Sequence, residues 1–556
     1  MKKFVMFIIL FLLMFILGNY INTPTVDYSK IKYVSYSNVS EYGLDLNEEV
    51  GVEEPNIVIA QLQLEYDKFK GQKKEYGEGV SLEEIKVDKR EFKNKAKKYY
   101  DKQNKKIIEK AVVGNYQNIF VSSYSPFIDI TYDLTYFNNH KTEILSNITK
   151  IKNLKSVTIF DNYQEPENCI YLASCEAGAG AVYNTRSVTG AGVSVGILES
   201  GIIDVENSEL VESLIEIRDS SVNGVGPSEH TTEMAMIIGG SHGIAPDTYM
   251  YNAYLSGTMT DEMEWLLDND VDIINMSCGV LYNLGTYDSN SAYVDYISSE
   301  YTVTIVAAAG NYGSTHNLVA NPGLGYNVIT VGSRHDDGVV SLFSSYAVNS
   351  GPIKPTILTV GDTVGLRDEG QTALSGTSPA AALCTGFLAL LLEAKPYLAN
   401  DRERLFALMV ANAANTEHQN FTQDNGFDEH GGAGLLHYGN MIDNYANSST
   451  YSNSRGTENS VFYRRTVYVE SGKTLRAALA TIATSDGTVN GITFTDYDIY
   501  IKDSNGSILN FANSVNSVIE VVTYDVTVSG NYTIEIHQCS ALMTSKDYIG
   551  FAYRIY

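Results

Sequence analysis

Residues Val193 to Asp204 read VSVGILESGIID, a short and almost wholly apolar run that ends in Glu199 and a Ser-Gly turn. A strand with no polar face is buried on both sides, which is the habit of parallel sheets covered by helices. The same character recurs outward along the chain. MAMIIGG (234–240), VDIINMSCG (271–279), TVTIVAAAG (302–310) and VITVGS (328–333) follow, and Ser378 to Lys395 reads as one long apolar helix. From about Gly190 to His437 this alternation predicts a doubly wound α/β domain, whose functional groups belong at the carboxyl ends of its strands.

The flanks have a different texture. Before the α/β region, Asn56–Tyr66 reads as a strand, Leu82–Val113 as a long Lys- and Glu-rich helix, and Asn118–Val121 and Phe127–Tyr132 as strands. His140–Ile151 reads as a helix and Ser156–Phe160 as a last strand, giving a compact β-α-β-β-α-β unit behind a loose polar lead-in from about 27 to 55. After it, Ala446–Asn459 is rich in Ser, Asn and Thr and reads as a linker. From Ser460 on, short alternating runs such as VFYRRTVYVE, DYDIYIKD and NYTIEIHQ, punctuated by Asp486-Gly487, Asn505-Gly506 and Ser529-Gly530, predict a β-sandwich.

Charge separates the same regions. The 556-residue chain has a formal net charge of -27. Asp27–Phe160 carries 21 basic and 20 acidic residues, whereas Asp161–Tyr556 carries 16 and 46. An acidic body of that kind argues against nucleic acid as a partner, since phosphate backbones are bound by basic footprints. At the N-terminus, Met1-Lys2-Lys3 precedes an unbroken apolar run from Phe4 to Leu17. A basic head and a run shorter than a bilayer span predict a secretory signal peptide over residues 1–26, and hence an extracellular protein. No small-x-small cleavage site follows, so an uncleaved anchor at the cell surface is the alternative. Five cysteines are too few for a disulfide framework. Cys169 and Cys175 are near enough in sequence to pair, and Cys278, Cys384 and Cys539 read as buried thiols.

Four polar residues stand at strand ends or helix starts of the α/β region: Glu199, His230, Asn311 in AAAGNYG, and Ser378 in LSGTSPAAAL. Pro379 suits the first turn of a helix, so Ser378 sits where the helix dipole favours developing negative charge. A serine hydroxyl needs a base to take its proton, and the base needs a partner to fix its tautomer. Ser378, His230 and Glu199 supply those chemical types, and an Asn side chain can donate to an oxyanion. Taken singly, each has a plainer reading: a structural histidine, a turn asparagine, a solvated glutamate, a helix-start serine. Their weight lies in occurring together in one parallel-sheet domain.

In this order, carboxylate, histidine, asparagine and serine, the segments resemble those of the subtilisin-like serine proteases. ILESGI resembles the family's strand ending in Asp-(Ser/Thr)-Gly, and HTTEMAMIIGG with HGIAPDTYMYNAYL its His helix and the segment after it. VDIINMSCG resembles the substrate-binding strand, AAAGNYG the oxyanion segment, SGTSPAAAL the nucleophile segment, and GAGLLHYGNMI the closing Gly-x-Gly. The resemblance spans roughly 260 residues. It implies a catalytic domain over 166–445, a propeptide over 27–165 that chaperones and inhibits, a linker at 446–459 and a sandwich over 460–556. It further implies a self-processing serine endopeptidase with Glu199, His230 and Ser378 as catalytic residues, Asn311 at the oxyanion, and an extended peptide substrate paired against Met276, Ser277, Cys278 and Gly279. No cofactor is required for that chemistry. Asp496, Asp498 and Asp503 offer hard oxygen ligands for a structural Ca2+, against a plainer reading as strand and turn acids.

The chain departs from the family at the carboxylate, where Glu199 replaces Asp. The negative charge is kept, and removing that charge is the damaging change. Asp204, past the turn, is a second candidate partner for His230. Glu233 stands at the family's second histidine, and Pro379-Ala380-Ala381-Ala382 replaces its Met-Ala-Ser-Pro. These departures also fit a catalytically inactive binding relative at the cell surface, or a structural surface protein.

Overall fold

The computed structural model describes residues 26–35, 57–67, 69–70, 76, 80–161, 171–172, 188–218, 225–255, 259–279, 285–313, 318–335, 338–347, 351–362, 364, 374–415, 425–454 and 456–556. The expected signal segment and the Cys169–Cys175 pair lie outside the described residues. Two compact units divide the chain, one comprising Met1–Gln72 and Asn94–Gln164, the other Lys73–Lys93 and Glu165–Tyr556.

The smaller unit is built on strands β1 (Ile31–Ser35), β2 (Ile57–Leu64), β3 (Asn118–Val121), β4 (Phe127–Asp133) and β5 (Leu154–Asp161), in the sheet order β1-β5-β2-β4-β3. Helix α1 (Leu82–Ile108) contributes its residues from Asn94 on, and α2 (Leu134–Thr149) opens at Asp133, whose carboxylate accepts from the Tyr136 N–H at 2.8 Å. Alternate residues of β2 and β4, among them Val58, Ala60, Leu62, Ile128 and Ile130, pack with Ile144, Leu145 and Ile148 of α2. One strand here was not expected. β1, inside the polar lead-in, pairs in parallel with β5. A sheet edge takes its ladder from the backbone, and Ile31 of the short run IKYVS also packs, partly buried, against the core of the unit.

The larger unit begins with the first part of α1. Leu82 enters its core. Lys86 Nζ is tied to Asp272 at 3.0 Å and to the Gly192 carbonyl at 2.9 Å, and Lys93 bonds the Leu267 carbonyl and Asp270. The two-residue β6 (Tyr171–Leu172) comes next. Then β7 (Ser194–Glu199), β8 (Leu214–Ile217), β9 (Tyr249–Tyr254), β10 (Ile273–Met276), β11 (Thr304–Ala308), β12 (Val328–Arg334) and β13 (Ile357–Val360) form a wholly parallel sheet in the order β13-β12-β11-β10-β7-β9-β8. From β7 the chain builds β8 and β9 on one side, then crosses to lay β10 on the other. The carboxyl ends of β7 and β10 therefore flank a topological switch point, where such sheets form their clefts.

β14 (Leu374–Ser375) pairs with β6 and leads into α6. The helices of this sheet are α3 (Glu229–Gly239), α4 (Thr260–Asp268), α5 (Ser289–Tyr301), α6 (Thr377–Ala394) and α7 (Arg402–Ala411), with the short α8 (Tyr438–Asp443) after them. α6 is apolar enough to cross a membrane by length and composition, yet it is a core helix here, buried between α3 and the sheet.

Two four-stranded antiparallel sheets complete the unit. They are formed by β15 (Ser448–Asn453), β16 (Ser460–Val469), β17 (Thr474–Ala480), β18 (Tyr497–Lys502), β19 (Ile508–Ala512), β20 (Ile519–Asp525), β21 (Gly530–Gln538) and β22 (Asp547–Ile555), in the orders β15-β22-β17-β20 and β16-β21-β18-β19. The stretch expected as a linker over 446–459 therefore contains a strand: Ser448–Asn453 pairs with Ala552–Asp547 of β22. Its Ser- and Thr-rich sequence conceals this because its side chains serve polar contacts. Thr450 donates to Asp401 and Ser448 accepts from the Arg404 Nε–H at 2.8 Å.

The two β-sheets do not hang free. α7 packs on β17 and β22, and Gly550 passes so close that a Cβ there would lie 1.9 Å from the Glu403 carbonyl oxygen. Arg476 of β17 is fully buried, with its guanidinium donating to the carbonyls of Val410 (3.1 Å) and Ala433 and to the Asn415 side chain (3.3 Å).

Candidate active site

Each expected residue lies at the carboxyl edge of the parallel sheet. Glu199 is the last residue of β7, Ser277 follows β10, Asn311 lies three residues past β11, and Ser378 is in the first turn of α6. His230 is in the first turn of α3, which is capped by Ser228, whose hydroxyl accepts from the Thr231 N–H. The turn after Glu199 presses on that cap: a Cβ on Gly201 would lie 2.2 Å from the Ser228 Cβ. Only glycine lets the Glu199 turn and the His230 helix come so near.

Glu199 is fully buried, and its Oε1 accepts from the Ser277 N–H at 2.8 Å. Its Oε2 lies 3.7 Å from His230 Nδ1, too long for a hydrogen bond, and neither ring nitrogen of His230 has a hydrogen-bond partner among the described residues. Burial pushes the Glu199 carboxyl up to about 8 and the His230 imidazole down to about 4. Both shifts favour the neutral form, as desolvation does. The Cys278 thiol donates to the Leu198 carbonyl at 3.4 Å and also faces the Glu199 carboxyl.

Ser378 is buried, and its Oγ donates to the Ser277 carbonyl at 2.7 Å, while the Ser277 hydroxyl donates to the Ser378 carbonyl at 2.9 Å. Asn275 Nδ2 donates to the Ser277 hydroxyl at 3.0 Å, and Asn275 Oδ1 accepts from Thr385 on α6 at 2.9 Å. The nucleophile candidate is thus held against β10 rather than pointed at the imidazole. Apo active sites often have such loose geometry, tightening when substrate arrives.

Asn311 is fixed through its oxygen. Its Oδ1 accepts from the N–H and the hydroxyl of Thr377 (2.9 and 3.0 Å), and the Thr377 hydroxyl accepts in turn from the Gly310 N–H at 3.0 Å. With its oxygen engaged by the start of α6, the amide is oriented with its NH2 group available to an acceptor. Met276, Ser277 and Cys278 are buried, so what this segment presents to a peptide is main chain. A Cβ on Gly279 would lie 2.7 Å from Ala320 Cβ, which keeps that residue bare.

Some braces were not anticipated. Thr377 and Asn275 are two. Asn252 is a third: on β9, its side chain accepts from the Ile203 N–H at 3.0 Å and donates to the Ile197 and Gly201 carbonyls, holding the loop after Glu199. A polar residue inside a strand-like apolar run, as in YMYNAY and IINM, was the available signal. Asp204 does not approach His230 as a partner; its carboxylate accepts from the Glu206 N–H at 3.1 Å within its own turn. In the sandwich, Asp496 and Asp498 come together, whereas Asp503 is exposed and closes its own turn through the Asn505 and Ser507 N–H groups at 2.9 and 2.8 Å. Cys278 and Cys384 are buried free thiols as expected, while Cys539 is only partly buried.

Comparison with known proteins points the same way. Residues 190–434 match the profile of the subtilase family. Serine protease AprX of Bacillus subtilis (strain 168) is 28% identical over 270 residues, covering 40% of this chain and 61% of AprX. Subtilisin DY of Bacillus licheniformis is 29% identical over 233 residues, covering 39% of this chain and 82% of that protein. Among solved structures, the prenylagaramide maturation protease PagA is 25% identical with a TM-score of 0.38, covering 45% of this chain and 93% of that one.

Proposed function

Since residues 190–434 belong to the subtilase family of serine proteases, we propose that this chain is a secreted endopeptidase made as a self-processing precursor, working through Ser378, His230 and Glu199. The reading is carried by the meeting of a serine at a helix start, a histidine at a helix start and a buried carboxylate at one switch point of one parallel sheet.

In this mechanism Ser378 Oγ leaves the Ser277 carbonyl and attacks the scissile carbonyl carbon, passing its proton to His230 Nε2. Glu199 Oε2 orients Nδ1–H and stabilises the imidazolium. The negative charge forming on the substrate oxygen is met by the Asn311 NH2 group and the Ser378 N–H, at the positive end of α6. The imidazolium then gives its proton to the leaving amine, and water hydrolyses the acyl-serine ester by the same relay in reverse. The extended substrate lies along the main chain of Met276–Gly279 as an added strand. No metal or cofactor enters the reaction. Residues 27–165 serve as propeptide and inhibitor.

Intact mass of the secreted chain, wild type beside Ser378→Ala, tests this. Wild type is expected to lose about 165 N-terminal residues, and the variant to keep them. Equal masses, together with no hydrolysis of an unstructured protein substrate by wild type, would sink the proposal and favour the inactive binding relative.

A further inference from the structure

We propose that a cavity between the α/β domain and the C-terminal sheets binds the carboxylate of a small molecule, held side-on by the guanidinium of Arg402. None of the residues assigned to proteolysis lines this cavity, so the proposal does not rest on that reading.

The cavity measures about 160 Å³ and lies where the end of α5, the start of α7 and the C-terminal sheets meet. One water needs on the order of 10–15 Å³, so the space suits a small molecule rather than a single water. Glu300 of α5, Arg402 of α7, Thr481 and Thr484 after β17, Thr495 before β18 and Lys546 before β22 give it a polar wall.

Arg402 sets that wall apart. It is the first residue of α7 and only 1% exposed. Its side-chain hydrogen bonds all leave from Nη1, to the Ser298 carbonyl and hydroxyl and to the Val303 carbonyl. The Nε–H is buried and has no acceptor among the described residues. In a planar guanidinium, Nε–H and one Nη2–H run parallel along the edge away from Nη1, and that pair matches the two oxygens of a carboxylate. With Nη1 committed to the end of α5, this edge is what Arg402 has left to offer the cavity it lines. Nor is the charge paired. Arg402 makes no ion pair among the described residues, and the Glu403 carboxylate offsets its burial only from farther off. A buried cation left with neutral oxygens alone is costly, and an anion in the adjoining space offsets that cost.

The other groups decide which anion. Glu300 and Glu403 also border the cavity, and their charges resist the dianions phosphate and sulfate. Asp547 is engaged elsewhere: its Oδ1 accepts from the Thr544 hydroxyl at 2.5 Å and its Oδ2 from the Tyr497 hydroxyl at 3.1 Å. A single carboxylate fills the fork with one charge, at the end of α7 where the helix dipole favours it. A ligand with an ammonium beside its carboxylate, such as an amino acid or the end of a short peptide, gains further from Glu300 and Glu403, whereas a simple carboxylic acid does not.

The test titrates the full chain by calorimetry, at fixed ionic strength and neutral pH, with acetate, glycine and sulfate. Acetate and glycine are expected to bind at a single site and, at about ten times their Kd, to raise the thermal midpoint by about 1–2 °C. Arg402→Lys keeps the charge but loses the fork, and should weaken both at least ~10-fold. Glu403→Gln leaves Arg402 in place and should tighten acetate by about 3-fold. Glycine binding tighter than acetate assigns the site to an amino acid or peptide end, and the reverse assigns it to a simple acid; both uphold the proposal. No binding of either carboxylate by wild type overturns it, as does unaltered binding by Arg402→Lys. Sulfate binding tighter than both overturns the choice of a carboxylate. The wild-type titration and Glu403→Gln decide even if Arg402→Lys fails to fold.

Discussion

Ser277 and Ser378 are bonded in both directions: the Ser378 hydroxyl donates to the Ser277 carbonyl and the Ser277 hydroxyl to the Ser378 carbonyl. The same Ser277 gives its N–H to Glu199. One residue at the end of β10 thus holds two of the three proposed catalytic groups. In the proposed mechanism a substrate strand along Met276–Gly279 would compete for the carbonyl that restrains Ser378 Oγ, so that binding would free the nucleophile. Ser277→Ala keeps the main-chain contacts and removes the hydroxyl's bond to the Ser378 carbonyl and the bond it accepts from Asn275. A loss in kcat of about 3- to 30-fold with little change in KM is expected, the cost of the buried hydrogen bonds of one hydroxyl. Steady-state kinetics on a peptide substrate checks it.

The pH profile follows from the burial of Glu199 and His230. Between about 4 and about 8 both are uncharged, with the shared proton on the carboxyl. A protonated Glu199 that closes the 3.7 Å gap to Nδ1 would donate there and leave the imidazole hydrogen on Nε2, the tautomer unable to take a proton from Ser378. The working form has Glu199 ionised. We expect kcat/KM to climb as pH rises through about 8, as a macroscopic property of the pair. An ascending limb near the ordinary histidine value of 6.5 would contradict this.

Stability carries the same signature with a definite sign. Folding raises the Glu199 pKa, so its contribution is full below the ordinary 4.5 and is lost as pH rises through about 8. Folding lowers the His230 pKa, so its contribution is full above 6.5 and is lost as pH falls through about 4. Glu199→Gln removes the first dependence. In a Ser378→Ala background, which prevents self-digestion, urea unfolding should show Glu199→Gln gaining on its parent by on the order of 3–5 kcal/mol between those limits.

Thr377 acts through Asn311. Thr377→Val removes the hydroxyl that bridges Gly310 and Asn311 while preserving shape. If the Asn311 amide serves the oxyanion, kcat falls by about 10- to 100-fold with KM nearly unchanged, because the loosened contact is one made in the transition state. A change confined to KM would place Thr377 in substrate binding instead.

Gly201→Ala should be costly far beyond its size. The added methyl meets Ser228 at the cap of α3. A loss of about 2–3 kcal/mol in thermal or urea unfolding is expected from overpacking, with a larger loss of activity because His230 moves with its helix.

Much of this was legible in the sequence, and the reason is physical. Strands buried on both faces, such as VSVGIL and VDIINM, can only be apolar, and the reactive residues had to stand just beyond them. Strands with little burial to satisfy left little trace. β1 is an edge strand of only five residues, β15 an edge strand of Ser- and Thr-rich sequence, and β8 alternates between exposed and half-buried residues. In the site, side chains that point at substrate announced themselves by type and place. Those that brace it, Asn252, Asn275 and Thr377, have partners tens of residues away and show only as polar interruptions of apolar runs.

The buried guanidinium of Arg476 also bears on how such a chain can be recombined. Val410, Asn415 and Ala433, three of its acceptors, lie in the α/β domain. A crossover placed between residues 446 and 459, natural or engineered, would separate a cation from the carbonyls that solvate it. Each half would inherit a desolvated polar group with no counterpart, so a graft succeeds only if the new partner offers the same carbonyls. The buried contacts of Arg476 therefore make the C-terminal sheets part of the α/β domain's packing rather than a free-standing cassette.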